Sequence, residues 1–118
     1  GLIGADGMLE CKSRRQKYQV QTIVEHWRDG TTPDDYMLQV QTAMIVADRK
    51  WCDLVSYSGG LPMIPMRIER CPKYEAAILA ACADAEAKIA AIIKDYHQAV
   101  KERALLPTER RIEEEMYV

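Results

Sequence analysis

Two charged residues interrupt an apolar stretch near the start of the chain. Glu10 and Lys12 stand in the run Met8-Leu9-Glu10-Cys11-Lys12. This run reads as a β-strand, and residues two apart on a strand point to the same side. A carboxylate in a cleft holds Mg2+, a hard cation that prefers oxygen. A lysine beside it can orient or deprotonate a water and steady charge on a phosphate. The E-x-K spacing is also that of an ordinary surface ion pair, and both readings stand on the tripeptide alone. Lys12, Arg14, Arg15 and Lys17 then place four cations within six residues, where backbone N–H groups and side chains can hold phosphates. A solvated turn has the same composition. Tyr36 and Gln39, three apart, share one side of a predicted helix. They either rim the core or reach toward the charges.

The elements that must position these groups can be read in order. Leu2-Ile3, the Gly4-Ala5-Asp6-Gly7 turn and Met8–Lys12 read as a hairpin, with Asp6-Gly7 as the turn signal. In its second strand Leu9 and Cys11 share one face, and Met8, Glu10 and Lys12 the other. A helix is predicted over 15–27, ending near Gly30. Another begins at Thr32-Pro33-Asp34-Asp35, with Thr32 as cap and Pro33 at the first helical position. It runs to about Ala47, with Met37, Val40, Met44 and Ala47 as its core stripe. Trp51–Tyr57 and Met63–Arg70 read as paired strands around a Gly-Gly loop. Pro72 opens a helix to about Leu105, longer than a small domain is wide. Part of it must pack beyond this core or stand in solvent. The order strand, strand, helix, helix, strand, strand, helix predicts a mixed α/β (α+β) fold with a small sheet and helices packed on it.

At 118 residues the chain makes one small domain. The organisation expected is a domain over 1–106 and a charged tail over 107–118. A formal net charge of −2 excludes a histone-like polycation, so any nucleic-acid contact must come from a local patch. No apolar run is long enough to span a bilayer, and no secretory signal is visible. Cys11, Cys52, Cys71 and Cys82 form no CxxC pair, and His26 and His97 stand far from them. Reduced thiols of a cytosolic protein are expected rather than a zinc site or a disulfide framework.

Taken together, Gly1–Lys12 ("GLIGADGMLECK"), Tyr36–Val46 ("YMLQVQTAMIV"), the strand from Trp51 and "RIER" before a long helix resemble the lambda-exonuclease-like, YqaJ-type branch of the PD-(D/E)xK nucleases. The resemblance runs from Gly1 to about Val100. It implies a restriction-endonuclease-like core and a metal-dependent 5′–3′ double-strand DNA exonuclease of phage recombination, using Mg2+ or Mn2+. Glu10 matches the family's second metal carboxylate and Lys12 its catalytic lysine. The Cys11 peptide oxygen matches a further metal ligand. Gln39 matches the glutamine beside the lysine, and Tyr36 its helical neighbour. The same likeness gives Arg14, Arg15, Lys17 and Tyr36 to DNA. It further implies a ring-like homo-oligomer, a single-strand-annealing partner, and a bacterial cytoplasm with a phage or prophage gene.

In that family the first metal aspartate is the Asp of an S-P-D-G motif and would sit one position before Gly1, after N-terminal helices. The expectation is therefore a C-terminal portion of a longer nuclease, weak in metal binding and cleavage by itself. Asp6 is a possible substitute ligand, although its turn context argues against it. Two other classes remain open: a non-catalytic DNA-binding or assembly module, and a helical interaction domain with E-x-K on its surface.

Overall fold

The computed structural model describes residues 1–109. Within them the chain forms two compact units, Gly1–Ala81 and the remainder from Cys82. The first carries the sheet.

Strands β1 (Leu2–Ile3) and β2 (Gly7–Ser13) make the expected hairpin, Leu2 opposite Met8 and Ile3 opposite Gly7. The turn is built differently from what Asp6-Gly7 suggests. The positive φ, 54°, falls on Gly4, where the absence of a side chain removes the steric penalty. Gly7 is already in the strand, and a Cβ on it would run into the Trp51 ring.

β2 pairs in parallel with β3 (Trp51–Tyr57), and β3 antiparallel with β4 (Ile64–Glu69), giving the order β1-β2-β3-β4. Parallel neighbours need a long crossover, which α1 and α2 supply. Helix α1 (Gln16–Thr22) continues as a π-helical turn, Ile23–Trp27. Helix α2 (Met37–Val46) follows a 3-10 turn, Asp34–Tyr36. Thr32 is not its cap. Tyr36 takes that position with no side-chain hydrogen bond, while Pro33 precedes the 3-10 turn with its ring presetting φ.

Register and alternation lay three rows across one face: Met8–Cys52–Ile68, Glu10–Leu54–Met66 and Lys12–Ser56–Ile64. Val40 and Met44 of α2 cover this face, with Ile23, Tyr36, Met37 and Ala43 at its margin. Two fully buried glutamines brace the layers. Gln19 of α1 donates through Nε2 to the carbonyls of Ser56 and Pro62, and its Oε1 accepts from Ser56 Oγ at 2.6 Å. Gln41 of α2 donates to the Glu69 carbonyl and accepts from the Cys71 N–H, both at 2.9 Å.

Helix α3 (Pro72–Glu102) has 31 residues, about 46 Å at 1.5 Å per residue. Its first turn is anchored by Arg70, which pairs with Glu75 at 2.6 Å and Asp48 at 3.0 Å. The second unit consists of α3 from Cys82 and the residues after it, and its Ile89, Ile92 and Tyr96 are exposed. The expected tail over 107–118 lies outside the described residues from 110 onward. No helix among the described residues is long and apolar enough to cross a membrane.

Candidate active site

Glu10 and Lys12 project from the covered face of β2, next to Met8, which is 7% exposed. They end the second and third sheet rows, whose neighbours Leu54 and Ser56 are buried. Charges placed there lose part of their hydration and must be paired. They are: the Lys12 ammonium donates to Glu10 Oε1 at 2.7 Å and to Gln39 Oε1 at 2.7 Å. Gln39 Nε2 donates to the same Glu10 oxygen at 3.0 Å. The three groups close a ring. Only one amide orientation serves it, since the ammonium can only donate and the carboxylate must accept. Gln39 reaches in from the first turn of α2, 27 residues from Lys12 in sequence. Among the described residues, no hydrogen bond engages Glu10 Oε2.

The neighbouring strand edge matters as much as the side chains. Gly1 and Leu9 exchange both backbone bonds at 2.7 Å. The next antiparallel position along, opposite Glu10, is therefore a non-hydrogen-bonded one, in which facing side chains lie closest. By the alternation of a strand, the Cys11 carbonyl turns to the same side as that of Leu9, away from β3. The Cys11 side chain itself is exposed.

A second cluster adjoins the ring. Lys12 Nζ lies 5.3 Å from the Tyr36 ring centre, and the Arg14 guanidinium lies 5.3 Å from Tyr36 and 5.5 Å from Tyr18. Lys17 Nζ stands 4.7 Å from Tyr18. Cation and ring thus alternate as Lys12–Tyr36–Arg14–Tyr18–Lys17. Each such contact is worth about 0.5–1 kcal/mol at an exposed site. Ser13, Arg14, Arg15, Tyr18, Asp35 and Tyr36 line an open groove of about 460 Å3 here. Arg15 is exposed on its rim.

The predicted site residues Glu10, Lys12, Gln39, Tyr36 and Arg14 are therefore brought together, and Arg15 and Lys17 stand beside them. Tyr18 was missed, although the interleaving of basic residues with an aromatic in Arg14-Arg15-Gln16-Lys17-Tyr18 was a signal for it. Asp6 is engaged elsewhere, 3.1 Å from Lys50, with its carbonyl accepting from the backbone of Lys50 and Trp51. Nearby Cys52 is buried, and its thiol is pushed up to about 11, first by burial and then by the charges of Glu10 and Asp53.

Glu10 and the Cys11 carbonyl are hard oxygen donors of the kind Mg2+ takes. They bring one negative charge, and no three His, Cys, Asp or Glu side chains converge among the described residues. The donors fit in kind.

Residues 1–50 match the YqaJ-like viral recombinase domain. The match covers the first 50 of the 118 residues. Its fold is similar to that of an alkaline exonuclease (LHK-Exo) from Laribacter hongkongensis, with a TM-score of 0.67 and 30% identity over 85% of this chain and 54% of that one. LHK-Exo in complex with dAMP gives a TM-score of 0.66 and 31% identity over 85% and 53%. This YqaJ-like chain thus spans about half the length of the structures it matches. No curated protein matches it. The solved structures it resembles are of an exonuclease, and the mixed sheet flanked by helices is consistent with the α/β nuclease core expected from the sequence.

Proposed function

We propose that Glu10, Lys12 and Gln39 form the hydrolytic centre of a metal-dependent double-strand DNA exonuclease, of which this chain is the core segment. The observation that carries the reading is two charges set on the covered face of a sheet and closed into a ring by Gln39. Charges on a core-facing row cost stability, and a local rule broken in this way marks a functional place.

In this reading Glu10 and the Cys11 carbonyl hold Mg2+ or Mn2+. A bound ion would supply positive charge to the scissile phosphate and to the leaving 3′ oxygen. Lys12 contributes a fixed cation. Two of its three N–H bonds are committed to Glu10 and Gln39, and the third is free to meet a phosphate oxygen or the attacking water. Gln39 holds both partners and so fixes where that N–H points. Water attacks phosphorus on the side opposite the 3′ oxygen, whose bond to phosphorus breaks. Arg14, Arg15 and Lys17 hold the backbone and Tyr36 lines the approach. Likeness to an alkaline exonuclease and to the YqaJ-like viral recombinase domain supports DNA as substrate and a recombination role; double-stranded substrate, 5′–3′ direction, a homo-oligomer and a single-strand-annealing partner complete the reading.

One observation favours a second reading, a DNA-binding or assembly module on the same fold. The described residues supply a single carboxylate to the ring. An engineered extension separates the two. On the hairpin register, an aspartate placed immediately before Gly1 stands opposite Glu10. It should tighten Mn2+ binding, read by electron paramagnetic resonance, and raise cleavage of 5′-labelled duplex. Glu10→Ala should remove both gains, with a loss of about 10²-fold or more in rate. The chain without the extension should bind Mn2+ weakly and cleave poorly. A gain that ignores Glu10, or no gain at all, rejects the hydrolytic centre in favour of the binding module.

A further inference from the structure

We propose that helix α3 pairs antiparallel with α3 of a second copy of this chain, through the seam Cys82, Ala85, Ile89, Ile92, Tyr96 and Ala99. The contact goes beyond the catalytic reading and does not rest on it, since α3 carries none of the ring residues. It is isologous, the same patch on both copies. It therefore differs from the head-to-tail contacts of the ring-like assembly that the resemblance implies.

Three observations carry it. The first is spacing. The seam residues follow one another at steps of three, four, three, four and three. That is the 3.5-residue repeat of a coiled coil, narrower than the stripe of a helix lying on a globular core. The second is exposure. Every residue of α3 from Ala81 to Glu102 is exposed, and Ile89, Ile92 and Tyr96 are 56%, 67% and 63% so. A contiguous apolar face left open in this way marks an interaction surface.

The third is complementarity, which selects the occupant and its direction. Reverse the second helix about an axis at Ala90 and Ala91. Ile89 then meets Ile92 of the second copy, the large Tyr96 meets the small Ala85, and Cys82 meets Ala99. A parallel pair stacks Tyr96 on Tyr96 and Ala85 on Ala85, a bulge beside a gap, against the close packing of protein interiors. The charges agree with the sizes. Lys88 and Asp95 each stand one residue before a seam position, Ile89 and Tyr96. In the antiparallel pair they face each other across the seam twice. In the parallel pair they face Ile93 and Val100. Lys88 meets Asp84 at 2.6 Å within its own helix, and the pairing brings it a second carboxylate. The polar side of α3 carries both signs, in Asp84, Glu86, Lys88, Lys94 and Asp95. An anionic lipid surface, which selects a basic polar face, is therefore not the favoured occupant.

The test is analytical ultracentrifugation of the 118-residue chain from micromolar to submillimolar concentration. A reducing buffer of low ionic strength keeps disulfides out and leaves the charges unscreened. The unsubstituted chain should sediment as a reversible monomer–dimer equilibrium, and Ile92→Asp should abolish the dimer. Lys88→Asp and Asp95→Lys each set like charges opposite one another twice, and each should weaken the dimer about tenfold. In an equimolar mixture of these two variants both contacts are attractive again, and the dimer should return to the affinity of the unsubstituted chain. All three side chains are exposed, so the variants should fold, as circular dichroism will show. A monomer at every concentration, an assembly larger than two, a dimer that ignores Ile92→Asp or either charge reversal, or a mixture no tighter than its components overturns the proposal. None of these outcomes touches Glu10, Lys12 or Gln39, so the catalytic reading stands or falls separately.

Discussion

Gly7 lies under the indole of Trp51, its register partner on the neighbouring strand. Trp51 also carries the Arg67 guanidinium 3.6 Å from the ring centre, and Arg67 pairs with Asp53. The ring is thus clamped by a backbone and a cation, and a methyl group at position 7 has no room. Gly7→Ala should destabilise by about 1–3 kcal/mol, the range for overpacking. Urea denaturation reads this as a lower midpoint at constant slope, and a midpoint within error of the unsubstituted chain would mean the clamp yields freely. On the opposite face, Glu10, Lys12 and Gln39 constrain one another. The pair itself is partly exposed, 29% and 20% for Glu10 and Lys12, and exposed ion pairs add about 0–1 kcal/mol. Their arrangement therefore fixes geometry more than it stabilises the fold.

The helices are held to the sheet by polar bolts as well as apolar contact. Helix α1 has only seven residues before its π-helical turn, too short to persist by itself. Gln19 supplies the missing anchorage by tying it to β3 and to Pro62 in the β3–β4 loop. Replacing it with leucine leaves the Ser56 and Pro62 groups without their partner, at a cost of about 1–3 kcal/mol. Gln19→Leu should lower stability by this amount in thermal or urea unfolding. Gln21→Leu, on the exposed side of the same helix, should stay within about 0.5 kcal/mol. Equal effects from the two would show that the buried network does not secure α1. Gln41 plays the corresponding part for α2, reaching the end of β4 and the Cys71 N–H before α3. Neither glutamine stood out in the sequence, because a polar residue on a predicted helix reads as solvent-facing. Only the depth of the layer above it reveals a buried one.

Across the molecule the formal charge is −2, yet Lys12, Arg14, Arg15 and Lys17 gather at one end of β2. Such a division gives local attraction without general stickiness to polyanions. If Arg14, Arg15 and Lys17 each neutralise one phosphate, the logarithm of the binding constant for a single strand should fall with log salt at a slope of about −2. Arg15→Ala should make the slope shallower by about 0.7 and weaken binding to all sequences alike. A slope near zero would remove the backbone role from this patch. Element order and the four strands were legible in the sequence, since the strand-prone run Trp51–Tyr57 and the Gly-Gly loop are local signals. The capping of α2 and the positive φ of the first turn were not. A 3-10 turn delays the start of α2 to Met37 and makes Tyr36 its cap, and Gly4 rather than Gly7 takes the positive φ.

Strand periodicity alone makes Glu10 and Lys12 point the same way, and helix periodicity alone sets Tyr36 beside Gln39. Those relations follow from bond geometry and hold wherever the segments lie. Whether the charges face water or the covered side of the sheet is a different matter. It depends on the parallel register of β2 on β3, between residues 44 positions apart, and on α2 lying across both, with Gln39 27 and 29 positions from Lys12 and Glu10. Folding therefore turned an ordinary tripeptide into a closed ring of Glu10, Lys12 and Gln39, because the burial that makes pairing compulsory is created by the other elements.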